Sequence, residues 1–89
     1  MRYVETESSH YKTSENQSKK RLGEGLRNLR VARGLTQVEL ADYLDVSRET
    51  VAYAEVGSRP PSYLLLHKIA FAFEMSIEEF LAVVRKMSL

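Results

Sequence analysis

Apolar stripes of helical period alternate along the chain with short polar breaks, and each stripe follows a residue able to cap a helix. Leu22, Leu26 and Leu29 fall at i, i+4 and i+7, one face of a helix, with Ser14 and Gln17 upstream as a candidate capping box and Gly34 as its stop. In "TQVE" at 36–39, Glu39 follows Thr36 by three residues, a second capping box, ahead of Leu40, Ala41 and Leu44 on a short second helix. Asp45 breaks that run. Ser47 can cap a third helix with Val51 and Ala54 turned inward, closed by Gly57 and the stiff Arg59-Pro60-Pro61. Ser62 opens a fourth helix reaching Phe73, and "SIEE" at 76–79 is a third capping box that starts a fifth helix running to about Met87. No strand-like alternation competes, so the predicted fold is all-α, a compact five-helix bundle. Residues 1–13 are polar and lack sustained periodicity; a flexible arm is expected there, extending to residue 18, with the folded domain over residues 19–89.

Composition narrows the function. A chain of 89 residues is one domain, with a core sufficient for a helical bundle and little room for a deep catalytic cleft. It has no cysteine, which excludes disulfides, zinc-thiolate sites and thiol chemistry and suits a reducing compartment. No apolar run approaches the ~18 residues that span a bilayer, and the first twenty residues lack the apolar centre of a secretory signal. A soluble, cytoplasmic protein with no membrane partner is therefore expected. The net charge of +1 divides into −1 over residues 1–18, +2 over 19–61 and zero over 62–89. A weakly basic middle permits nucleic-acid binding without demanding it. His10 and His67 lack the spacing of a metal pair or of a nucleophile and its base, and Glu78 and Glu79 stand in a first helical turn, where the dipole favours acids. No catalytic residue, metal or cofactor is assigned, and an enzyme is not expected.

Two short helices joined by about three residues have the spacing of a helix-turn-helix. "TQVELADYLDVSRETVAYAEVGSRPPS", followed by "LHKIAFAFEMSIEEFL", resembles the helix-turn-helix family of the phage repressors and Cro proteins, the xenobiotic-response-element type, over residues 21–82. The matching positions are Gln37, "ELA" at 39–41, Leu44, Val46, Ser47, Val51, Glu55, Gly57, Pro61, "KIA" at 68–70, and Ser76, Ile77, Phe80 and Leu81. The resemblance implies a lambda-repressor-like DNA-binding fold and a structural ion pair between Arg30, late in the first helix, and Glu55. Ala41 would lie where the second and third helices cross most closely, with Val46 and Val51 closing the wedge. The chain departs from the pattern at Asp45 and Glu74, where glycine is usual, and at Ala54, where a bulky apolar residue is common, so the space beside Ala54 must be filled from elsewhere.

With Val51 and Ala54 inward, the third helix turns Arg48, Glu49, Ala52 and Tyr53 outward, with Thr50 at the edge. That is the face a recognition helix inserts into the major groove, N-terminus first. Arginine matches guanine O6 and N7, and a carboxylate accepts from the cytosine amine. Arg48, Glu49, Thr50 and Tyr53 are the candidate base contacts; Glu49 would penalise wrong sites more than it strengthens right ones, and Tyr53 could touch a thymine methyl or a phosphate. The competing reading is a solvated ion pair on a structural helix. By resemblance Gln37 would bond a phosphate at the start of the second helix, Ser47 is grouped with the phosphate contacts, and Ser58 and Arg59 would hold the backbone from the following loop. Simple loop solvation is the alternative for Ser58. Lys19, Lys20 and Arg21 could reach DNA or stand solvated.

In the fourth helix, Tyr63, Leu66, Ile69, Ala70 and Phe73 match inward positions, while Leu64, Leu65 and Phe71 stand where polar residues are usual. With Val83, Val84 and Met87 of the fifth helix they predict an apolar patch, read as a homodimer interface. Alternatively the arm folds back over it through Tyr3, Val4 and Tyr11. The combined expectation is a transcriptional regulator, most simply a repressor that binds a palindromic operator as a homodimer. An antitoxin or regulator antagonist that binds a partner chain, a toxin or another regulator, through the fourth and fifth helices is the alternative, and an activator touching RNA polymerase is a third.

Overall fold

Four of the five helices begin on a hydroxyl side chain that accepts from a backbone amide three residues on: Thr36, Ser47, Ser62 and Ser76. The computed structural model describes the backbone of residues 2–88 and the side chains of residues 17–88. Its elements are α1 (Arg2–Ala32), α2 (Gln37–Leu44), α3 (Arg48–Val56), α4 (Tyr63–Ala72) and α5 (Ile77–Met87), with no strand among the described residues. Thr36 with Glu39 and Ser76 with Glu79 form reciprocal capping boxes, as the sequence predicts; each such cap is worth about 1 kcal/mol. None of these helices is long and apolar enough to cross a membrane.

The first helix differs from expectation. It runs without interruption through Ser14, so Ser14 and Gln17 are not its start, and the stretch predicted as an arm has helical backbone. The physical reason is that residues 2–20 contain neither glycine nor proline. Missing periodicity signals the lack of a buried face, which is a different property from helix propensity. The side chains of Tyr3, Val4, His10 and Tyr11 lie outside the described residues.

The core is built from Leu26 and Leu29 of α1, Leu40, Ala41 and Leu44 of α2, Val51 and Ala54 of α3, Ile69 and Ala70 of α4 with Phe73 after it, and Phe80 and Val84 of α5. The Phe73 and Phe80 rings stack with centroids 6.3 Å apart. Helix α1 passes between α3 and α5 at very short range. A Cβ on Gly23 would overlap the backbone carbonyls of Ala54 and Glu55, and one on Gly25 would overlap the backbone and side chain of Val84. The room beside Ala54 is thus taken by the backbone of α1. At its far end α5 is fastened to α1 by Asn28, whose Nδ2 donates to the Met87 carbonyl at 2.6 Å.

Asp45 (φ 59°) and Glu74 (φ 60°) hold the left-handed conformation, the turn geometry expected where glycine is replaced. After α2 the Asp45 and Val46 amides turn back onto the Asp42 and Ala41 carbonyls, at 3.2 and 3.0 Å. Three expectations for α4 and α5 need correction. Tyr63 is the first residue of α4 and points into solvent, its ring edge-on to His67 one turn later. Leu65 is partly buried against the core. Val84, placed in the predicted interface, is only 3% exposed because it faces α1 at Gly25.

Candidate nucleic-acid interface

The α2–turn–α3 unit is held from beneath by one buried ion pair. Arg30 Nε donates to Glu55 Oε2 at 2.6 Å and its Nη2 to Oε1 at 3.0 Å, a two-pronged contact with both residues buried. The third guanidinium nitrogen donates to the Leu35 carbonyl at 2.7 Å, so Arg30 also fixes the bend between α1 and α2. The resemblance implied this pair, and its geometry is architectural. Removing one partner of such a pair costs about 3–5 kcal/mol, mostly by stranding the other charge.

From Glu55 the polar contacts continue outward. Gln37 Nε2 donates to Glu55 Oε1 at 2.9 Å, and Gln37 Oε1 accepts from Arg48 Nη1 at 3.1 Å. Arg48 Nη2 lies 3.9 Å from Glu49 Oε2, with both side chains at least half exposed. That last contact is at the limit of an ion pair and weak in water, which leaves both groups open to better partners. Gln37, expected at a phosphate, thus spends its carbonyl on Arg48 and one amide hydrogen on Glu55; its second amide hydrogen remains available.

Along α3, Arg48, Glu49, Tyr53 and Val56 face outward, Ala52 and Thr50 are half-buried, and Val51, Ala54 and Glu55 face the core. Ser47 Oγ accepts from the Thr50 amide at 3.1 Å and lies 2.9 Å from Thr50 Oγ1, so the two hydroxyls pair with each other at the helix start. Val56, 67% exposed, adds to this outward face an apolar side chain that the inward and outward positions read from the sequence do not include. It lies one turn beyond Ala52 and two turns beyond Glu49, the only signal available. Its methyl groups have the chemistry that contacts thymine.

The loop after α3 folds back on Tyr53. The Tyr53 carbonyl accepts from the Ser58 and Arg59 amides at 3.1 and 3.3 Å and from Ser58 Oγ at 3.5 Å. The Arg59 guanidinium carbon sits 4.5 Å from the centre of the Tyr53 ring. Contacts thus tie Arg48 to Glu49 and Gln37 at the start of α3, and Tyr53 to Ser58 and Arg59 at its end. Of the predicted interface residues elsewhere, Leu64 and Phe71 are exposed on α4, whereas Val83 and Met87 are partly buried against the core.

A helix-turn-helix family model matches residues 26–80. Among relatives, an uncharacterized HTH-type transcriptional regulator of Archaeoglobus fulgidus is 43% identical over 54 residues, 61% of this chain and 77% of the relative. The uncharacterized HTH-type transcriptional regulator YgzD of Bacillus subtilis is 41% identical over 54 residues, 61% of this chain and 82% of its own. Among solved structures, the restriction-modification controller protein C.AhdI of Aeromonas hydrophila superposes with a TM-score of 0.68 at 33% identity, covering 72% of this chain and 97% of that one. The clp gene regulator ClgR of Corynebacterium glutamicum superposes with a TM-score of 0.69 at 29% identity, over 76% and 72% of the two chains.

Proposed function

Because the chain belongs to the Cro/C1-type helix-turn-helix family, a family of transcriptional regulators, we propose that it is a repressor that reads a palindromic operator as a homodimer. The observation that carries this reading is the exposed face of α3. Arg48 and Glu49 stand at its N-terminal end, weakly paired, with Arg48 held at one edge by Gln37. In the major groove Arg48 would donate to guanine O6 and N7, Glu49 would accept from a cytosine amine, and Val56 would meet a thymine methyl. Thr50 and Ser47 border that face, and Gln37, Ser58 and Arg59 would flank it with phosphate contacts.

The dimer part of the proposal is supported by the outer face of α4. Leu64 and Phe71 are 67% and 77% exposed, and they stand seven residues apart, on one face of the helix, beside the exposed Tyr63. Burial of that face against its copy would remove an apolar surface that a monomer has no use for. Two reading helices related by a twofold axis address half-sites about one helical turn apart.

Selection of sites from random duplex DNA, with stoichiometry by sedimentation on the winning sequence, tests the proposal. A palindrome bound by two chains is the expected result. On that site Arg48→Ala should lose about 1–3 kcal/mol and relax preference at one position. Equal losses on specific and random DNA would remove Arg48 from base reading. No enrichment from folded protein would overturn the operator reading and favour the same α4 face as a seat for a partner chain.

A further inference from the structure

The sequence alone offers Tyr53 as a base contact and Arg59 as a phosphate contact. From their geometry we infer that they form one DNA-binding unit, in which Tyr53 is the platform that positions the Arg59 guanidinium for the phosphate backbone. The inference rests on the DNA-reading function proposed above and goes beyond it by assigning Tyr53 a positioning role.

Two observations carry it. The guanidinium lies 4.5 Å from the ring centre, well within the ~6 Å over which a cation is attracted to an aromatic face. A guanidinium held over a ring keeps the N–H donors that point away from the ring free for a phosphate. The backbone enforces the arrangement: the Ser58 and Arg59 amides both donate to the Tyr53 carbonyl, which brings residue 59 back over residue 53. Pro60 and Pro61 follow immediately and restrict the escape of the chain, since each fixes its own φ and constrains the residue before it. An arginine already held in one orientation loses less freedom on binding than a solvated one. Tyr53 is 38% exposed, with the Arg59 guanidinium against its ring.

The test is a double-mutant cycle of Tyr53→Ala and Arg59→Ala, with Tyr53→Phe and Arg59→Lys alongside. Affinity is measured on the selected operator and on random duplex across a range of salt. Thermal melts check that each variant is folded, and proton NMR of the free proteins reads the ring-current shift of the Arg59 δ-methylene. Tyr53→Phe keeps the ring and should retain both the shift and wild-type affinity. Tyr53→Ala should abolish the shift and weaken operator and random duplex alike, by about two- to fivefold. In the Arg59→Ala background it should add almost nothing. Arg59→Lys keeps the charge without the plane and should fall between wild type and Arg59→Ala.

Independent losses that multiply in the double variant would overturn the inference. So would a Tyr53→Ala protein that keeps its affinity for random duplex but loses preference at one base pair, since Tyr53 would then be a base reader. If wild type prefers no sequence over random duplex, the operator reading itself fails. If it does, and Arg48→Ala relaxes that preference while the Tyr53 and Arg59 losses multiply, only this inference fails.

Discussion

Asp45 and Glu74 hold left-handed backbone, yet they do so at unequal cost. The short aspartate side chain can bond locally in that conformation, whereas glutamate gains nothing from it and carries the Cβ clash, of order 1–2 kcal/mol. Glycine at 74 removes the clash but raises the entropy of the unfolded chain by about 0.5–1 kcal/mol. Glu74→Gly should therefore stabilise the domain by about 0.5–1 kcal/mol and raise its melting temperature by ~4 °C. Thermal unfolding followed by circular dichroism checks this, with Asp45→Gly expected to gain less. At this scale the sequence was informative where chemistry is local. The turn at Asp45 and the caps at Thr36, Ser47, Ser62 and Ser76 each depend on neighbours within a few positions. The bridge made by Gln37 was hidden, because its partners Arg48 and Glu55 lie 11 and 18 residues away. Tyr63 matches an inward position of the family pattern, but the first residue of a helix is free to face water.

Among the elements, α1 sets the spacing of the whole bundle through two residues that propensity scales disfavour. Exchanging an exposed mid-helix glycine for alanine gains about 1 kcal/mol. Gly23→Ala should reverse that sign and destabilise by about 1–3 kcal/mol, because its Cβ would meet the carbonyls of Ala54 and Glu55 and force α1 away from α3. Urea unfolding gives the answer directly, and a gain in stability would show that the two helices have slack between them. The leucine stripe on α1 announced an amphipathic helix. It said nothing of how near the neighbouring backbones come, since close approach is recorded in what a glycine lacks. The full length of α1 was also hidden, because residues 2–16 offer no periodic signal even though nothing in them interrupts a helix.

For the whole molecule, the proposed twofold contact rests on the outer face of α4. Replacing Phe71 by glutamate would set a charge in the middle of the proposed twofold contact without touching the core, where Phe73 and Phe80 stack. Phe71→Glu should sediment as a monomer with an unchanged helical spectrum, and its operator affinity should fall far more than its affinity for random duplex. A dimer that survives both Phe71→Glu and Leu64→Glu would place the contact elsewhere. The sequence exposed this surface through Leu64 and Phe71 but overestimated it through Val84, since apolar character alone does not tell an inner face from an outer one.

Glu55 belongs to two systems at once. Its carboxylate closes the buried contact with Arg30 and also anchors Gln37, through which Arg48 is held. On the proposed reading, firmness of the interior and fidelity of recognition thus share a single chemical group. Variation at Arg48 leaves the Arg30–Glu55 contact in place, whereas at position 55 the two properties have only one degree of freedom between them.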